Sequence, residues 1–188
     1  MHWENWARPS LLTDSSFCCF SKVCRPFLNV KNKMDYQILQ ATIDDAEEIL
    51  ELQKLAYQIE AERYNNFDIP PLKQTREELI KQFKNYIILK AVSNGKIIGT
   101  VRAHEKNGTC FIGRLAVQPD LQNQGIGTAL MKEIEKYFTP KRYELFVGLN
   151  SDNNIHLYEK LGYNIYKRDA YECGDIDIYY MEKKLKTI

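Results

Sequence analysis

Gln122-Asn123-Gln124-Gly125-Ile126-Gly127 lies between a strand-like run, residues 111–117, and a helical pattern carried by Ile126, Leu130, Met131, Ile134, Tyr137 and Phe138. The first N–H groups of a helix have no carbonyl partner and stand at the positive end of its dipole. A strand, a glycine-bearing loop and a helix start therefore suit an anionic phosphate, and glycines let it close on the backbone. Two common phosphate loops are excluded. A dinucleotide fingerprint needs a third glycine where Leu130 stands, and a nucleoside-triphosphate loop needs Lys-Ser/Thr where Thr128-Ala129 stand.

The second stretch able to do chemistry is Ser151-Asp152-Asn153-Asn154-Ile155-His156-Leu157-Tyr158-Glu159-Lys160-Leu161-Gly162-Tyr163. Its polar start, apolar Ile155 and Leu157, and closing Gly162 predict a short capped helix. Tyr158 carries a phenol of ordinary pKa about 10, protonated at neutral pH and able to donate a hydrogen bond. Without further context the same residue reads as half-buried packing.

Together the two stretches resemble the signatures of the GNAT N-acetyltransferase superfamily. Gln122, Gly125 and Gly127 match its acyl-CoA loop, Gln/Arg-x-x-Gly-x-Gly/Ala. Leu157 through Gly162 match its second signature, Asn-x-x-Ala-x-x-Leu-Tyr-Glu-Lys-Leu-Gly-Phe, with Tyr163 for Phe, Ser151 for Asn and Asn154 for Ala. The order and spacing agree, and the resemblance spans roughly Tyr36 to Leu185.

The resemblance implies acetyl-CoA as cosubstrate, lying in a cleft where strand 111–117 splays from strand 143–149. Its pantetheine arm would pair with the backbone of Leu115, Ala116 and Val117, and its pyrophosphate with Gln122, Asn123, Gln124, Gly125, Ile126, Gly127 and Thr128. Ser151, Asn153 or Asn154 would bond the arm, and Tyr158 would serve the departing sulfur. The acceptor would be a primary amine of a small molecule or peptide that attacks the thioester directly. Pairing into a homodimer is also implied. A non-catalytic acyl-CoA sensor is the alternative, and the presence of Tyr158 favours the enzyme.

An attacking amine must be neutral, and a lysine side chain is so only about once in 10³ molecules at neutral pH. A base would help. Glu105, His104, Glu62, Glu172 and Asp175 are the candidates, and the sequence leaves the choice open. The resemblance further implies that the loop 64–74 is the acceptor-facing wall.

The elements that must hold these groups follow from pattern. Residues 36–40 read as a strand, and Asp44 with Glu47 as a capping box opening a helix that ends between 57 and 63. Pro70-Pro71 exclude helix in the next loop, and Thr75 with Glu78 caps a second helix. Asn94-Gly95 and Asn107-Gly108 predict two tight hairpins joining strands 86–92, 97–105 and 109–117. Strand, helix and strand across 115–147 require a parallel pair. A short helix and the strands 163–171 and 176–185 close the chain. The predicted class is α/β: a mostly antiparallel mixed sheet with one parallel crossover and helices on both faces.

The 188 residues fit one domain beginning near Met34, with residues 1–33 a leader or extension. A net charge of +1 gives no field for nucleic acid or an anionic membrane. No apolar run approaches the roughly 20 residues of a membrane span. Five cysteines form no disulfide framework, so a cytoplasmic setting is expected. Cys18, Cys19, Cys24 and His2 have poor spacing for zinc, and Cys110 and Cys173 read as packing residues.

Overall fold

The computed structural model describes residues 35–170 and 177–185. The expectations on residues 1–33, the start at Met34, and Glu172, Cys173 and Asp175 lie outside the described residues. No helix among the described residues is long and apolar enough to cross a membrane, and no cluster of potential metal ligands occurs among them.

Seven strands form one sheet: β1 (Gln37–Gln40), β2 (Ile87–Ser93), β3 (Lys96–Lys106), β4 (Thr109–Val117), β5 (Arg142–Gly148), β6 (Asn164–Ala170) and β7 (Asp177–Lys184). Their order is β1-β2-β3-β4-β5-β7-β6. Every neighbouring pair is antiparallel except β4 and β5, which are parallel and joined by α4 (Ile126–Glu135). This is the predicted mixed sheet. Both hairpin turns place Asn and then Gly at positive φ, 50° and 75° at Asn94-Gly95 and 54° and 74° at Asn107-Gly108. That double left-handed pair matches the twist of the flanking strands.

Helices cover both faces. Ile88 and Ile97 pack with Ile49 and Leu52 of α1 (Ala46–Tyr64) and Leu79 of α3 (Arg76–Gln82). Their neighbours Leu89 and Ile98 join Leu130, Met131 and Ile134 of α4 in a separate cluster. Successive strand residues point to opposite faces, so the two clusters lie on opposite sides of the sheet.

Two local expectations are corrected. The capping box ahead of α1 is made by Thr42 and Asp45, not Asp44 and Glu47, because a 3-10 turn at Ile43–Asp45 precedes the helix. The Thr42 N–H donates to Asp45 Oδ2 at 2.8 Å. Pro70 and Pro71 do not exclude helix; they open the single turn α2 (Pro70–Lys73). The N–H groups of a first turn have no intrahelical acceptor, so proline loses nothing there. The Thr75–Glu78 box forms as expected.

The feature that shapes the site is a bulge in β4. Thr100 pairs with Ala116 and Arg102 with Gly113, so Val101 alone faces both Arg114 and Leu115. Arg114 takes a left-handed φ of 53° to fit the extra residue. Below the bulge Cys110 and Ile112 face the α4 cluster; above it Leu115 and Val117 do.

Candidate active site

β4 and β5 pair only through Thr109 with Arg142, Cys110 with Tyr143 and Phe111 with Glu144. Beyond that, β5 continues along β7 through Gly148 while β4 follows β3. The two strands therefore part company, and the upper half of β4 keeps an edge without a strand on the β5 side.

A cavity of about 320 Å³ opens there. Leu115 and Val117 line it, with Gln122, Asn123, Gly125, Ile126, Gly127 and Thr128 of the loop and Asn153 and Asn154 of α5 (Asp152–Lys160). Ala116 is buried and its side chain lines neither cavity described here, nor does Gln124. Gly125 holds φ at 87° and no side chain caps α4. The first backbone bond of α4 runs from the Ala129 N–H to the Gly125 carbonyl at 3.0 Å, so the amides of Ile126, Gly127 and Thr128 precede it. A Cβ at Gly127 would reach Leu157, Leu115 and Val117 at 3.5–3.8 Å, filling space between the loop and the cleft wall. His156 and Lys160 line the same cavity. An uncapped helix start, a clear backbone and the nearby Lys160 ammonium fit the diphosphate of acetyl-CoA.

Tyr158 belongs to a second cavity of about 110 Å³. Tyr57, Glu60 and Asn154 line both, so the two meet along those residues. The wall is completed by Tyr64, Ile69, Pro70, Pro71, Arg114, Phe146 and Gly148. The proline segment thus borders this cavity. Tyr158 is 8% exposed, and burial pushes its phenol above the ordinary tyrosine value, with Tyr57 and Glu60 adding to the shift. Its ring meets Tyr163 edge-on at 6.1 Å. No hydrogen bond among the described residues reaches its oxygen, which stays a protonated donor at neutral pH.

Glu60 sits in a network. Ser151 Oγ donates to Glu60 Oε2 at 2.6 Å, and Arg63 Nη1 donates to Oε1 at 2.7 Å. Ser151 consequently begins α5 without capping it through its side chain. The Asn150 N–H donates to the Tyr64 hydroxyl at 2.7 Å, and that hydroxyl lies 3.4 Å from Ser151 Oγ. Burial raises the Tyr57 phenol, while the Arg114 guanidinium, 6.0 Å from the ring centre, pulls it down.

The described base candidates are not brought to the cavities. His104 and Glu105 pair with Phe111 and Cys110 at the closed end of β4 and β5. His104 stacks on Phe111 at 5.3 Å, and its pKa is lowered by burial and then by Lys106 and Arg102. Glu62 is exposed on α1 and lines neither cavity. Sequence reasoning missed Glu60, Tyr57 and Arg114. Glu60 and Tyr57 lie at the helical spacing of three on α1, the only local signal they carry.

Comparison with known proteins agrees with this geometry. The model of the acetyltransferase (GNAT) family matches residues 46–163. An uncharacterized N-acetyltransferase of Methanocaldococcus jannaschii is 27% identical over 165 residues, covering 81% of this chain and 70% of its own length. In fold, the chain is similar to the PaiA N-acetyltransferase of Thermoplasma acidophilum, solved in complex with coenzyme A, at 20% identity and TM-score 0.68, over 81% of this chain and 100% of that one. It is also similar to the ribosomal-protein-S18-alanine N-acetyltransferase of Escherichia coli, at 21% identity and TM-score 0.66, over 82% and 96%. The chain belongs to the acetyltransferase (GNAT) family, N-acetyltransferases that use acetyl-CoA.

Proposed function

We propose that the protein transfers an acetyl group from acetyl-CoA to a primary amine, with the diphosphate in the larger cavity and the amine in the smaller one. The observation that carries this reading is the junction of the two cavities along Tyr57, Glu60 and Asn154, with the uncapped start of α4 on one side and Tyr158 on the other. Acetyl-CoA supplies an acyl carbon activated as a thioester.

The chain's own residues then have distinct tasks. The amides of Ile126, Gly127 and Thr128 hold phosphate oxygens, and the free edge of Leu115, Ala116 and Val117 offers backbone partners to an extended arm. Glu60 faces the junction and accepts a proton from the acceptor's ammonium, leaving the neutral amine that attack requires. Tyr158 donates a hydrogen bond to the sulfur. Its raised pKa makes complete proton transfer less favourable than for an ordinary phenol, so its task is to stabilise the departing thiolate. Overall one N–C bond forms and one C–S bond breaks. Two protons leave the nitrogen; one ends on the sulfur and one in solvent.

Release of free thiol from acetyl-CoA across a panel of amines and peptides tests the reading. Turnover with at least one amine class is the expected result. Silence across the panel, with coenzyme A still bound, would overturn it in favour of a binding-only domain.

A further inference from the structure

The smaller cavity holds a positive charge that forms no ion pair among the described residues. Arg114 lines it, and its Nε is buried without a hydrogen-bond partner. Neither Arg114 nor the adjacent Arg102 forms an ion pair with a described carboxylate. Arg102, 8% exposed, is met by the amide oxygens of Gln74 at 3.3 Å and of Gln82 and lies over the Tyr86 ring at 5.6 Å, with no carboxylate among these partners. Burial, and then the charge of Arg114, lower its pKa to about 10. Two neighbouring guanidiniums with no counter-anion are unfavourable unless a ligand supplies one.

Glu60 lines the same cavity but forms no ion pair with Arg114; its oxygens meet Ser151 and Arg63 and keep lone pairs for a further donor. The backbone adds weight. The bulge that turns Arg114 toward α1 holds a non-glycine residue at a φ of 53°, a conformation the surrounding structure must enforce. The remaining wall is largely apolar or aromatic, from Tyr57, Ile69, Pro70, Pro71 and Phe146. Such a wall leaves the guanidinium as the directional anchor, and its planar fork matches a carboxylate.

The geometry points to an acceptor that is a small zwitterion, a free amine carrying its own carboxylate, with the carboxylate on Arg114 and the amine at Glu60. This rests on the assignment of the smaller cavity to the acceptor, and it narrows the acceptor class. A cavity of about 110 Å³ lined by one guanidinium without an ion-pair partner among the described residues, and by one carboxylate where it meets the larger cavity, complements an amino acid better than an alkylamine or an uncharged amide.

Matched pairs test this: glycine, L-alanine, L-serine and L-methionine against their α-carboxamides, assayed by thiol release, with wild type, Arg114→Asn and Arg114→Lys. Asparagine tolerates the left-handed backbone, so that variant removes the charge with little strain. Coenzyme A affinity, measured by calorimetry, reports whether each variant retains its fold. The free acids are expected to exceed their carboxamides at least tenfold in kcat/KM. Arg114→Asn should shrink that gap at least tenfold through KM, and Arg114→Lys should restore part of it.

Equal or better turnover of carboxamides, alkylamines or peptide N-termini would overturn the inference, as would a loss in Arg114→Asn that falls equally on both members of each pair. If no amine turns over at all, the transfer reading fails, and calorimetry decides this inference separately. Titration of the same four amino acids into protein loaded with coenzyme A should show binding that Arg114→Asn abolishes; absence of binding to wild type overturns it.

Discussion

The Tyr64 side chain fills the space in which a side chain at Gly148 would begin: a Cβ there would stand 2.8 Å from the Tyr64 ring carbon Cζ and 3.0 Å from Cε2. The contact joins the end of α1 to the end of β5, at the wall of the smaller cavity. It also holds the Tyr64 hydroxyl where the Asn150 N–H and Ser151 meet it.

Gly148→Ala is therefore expected to displace Tyr64 and leave the Asn150 N–H without its acceptor. Overpacking of this kind costs about 1–3 kcal/mol, readable as a lower urea midpoint. Acceptor KM should rise severalfold while coenzyme A affinity stays within about twofold, because the larger cavity does not include this contact. An unchanged midpoint would show that Tyr64 has room to move.

Tyr158→Phe should leave coenzyme A binding intact and reduce kcat about 10²-fold or more, the usual scale for loss of a positioned proton donor. Burial raises the phenol's pKa, so its protonated form persists beyond the ordinary tyrosine range. The kcat profile of the wild type should accordingly show no alkaline loss attributable to Tyr158 below about pH 10. A variant with full turnover would assign this tyrosine to packing alone.

Gly125→Ala forces an L side chain to a φ of 87° at the start of α4. A cost of about 1–2 kcal/mol follows, and Gly125→Asn should cost less. Both values come from denaturant titration. Calorimetry should show weaker coenzyme A binding for the alanine variant, because its relief is a shifted helix start. Equal stability of the alanine and asparagine variants would contradict this account.

Stability should fall at alkaline pH. Cys110 has its pKa raised from 9.0 to about 12 by burial, then by Glu105 and Glu135, and Tyr143 from 10.0 to about 12 by burial, then by Glu135. Above the ordinary values the unfolded chain gives up protons that the folded chain keeps. The contribution is thus complete below pH 9.0 and is lost as pH climbs toward about 12. Urea midpoints should be flat to about pH 9 and then decline, and Cys110→Ala should soften the first part of the decline. Mass mapping after alkylation at neutral pH should find Cys110 unmodified in the native state.

What the sequence disclosed was what local chemistry decides. Asn94-Gly95 and Asn107-Gly108 announce their turns because few other pairs accept two positive φ angles in succession. The loop at Gly125 and Gly127 is legible because strand, glycine and helix start are contiguous. The bulge at Arg114 is not, since two residues against one is a statement about β3 that β4 alone does not contain. Glu60 was overlooked for the same reason: its hydrogen-bonding partner Ser151 lies 91 residues away. Pro70 and Pro71 misled because proline forbids a helix interior but not a first turn.

The extra residue in β4 is an insertion that the sheet itself does not need. Deleting residue 114 would restore an unbroken ladder with β3 in the same register, Gly113 still opposite Arg102 and Ala116 opposite Thr100. Leu115 and Val117 would keep their places against the α4 cluster, and what disappears is the guanidinium that the left-handed residue carries toward α1. A one-codon loss here should therefore spare the sheet and the larger cavity while stripping the smaller one of its cation.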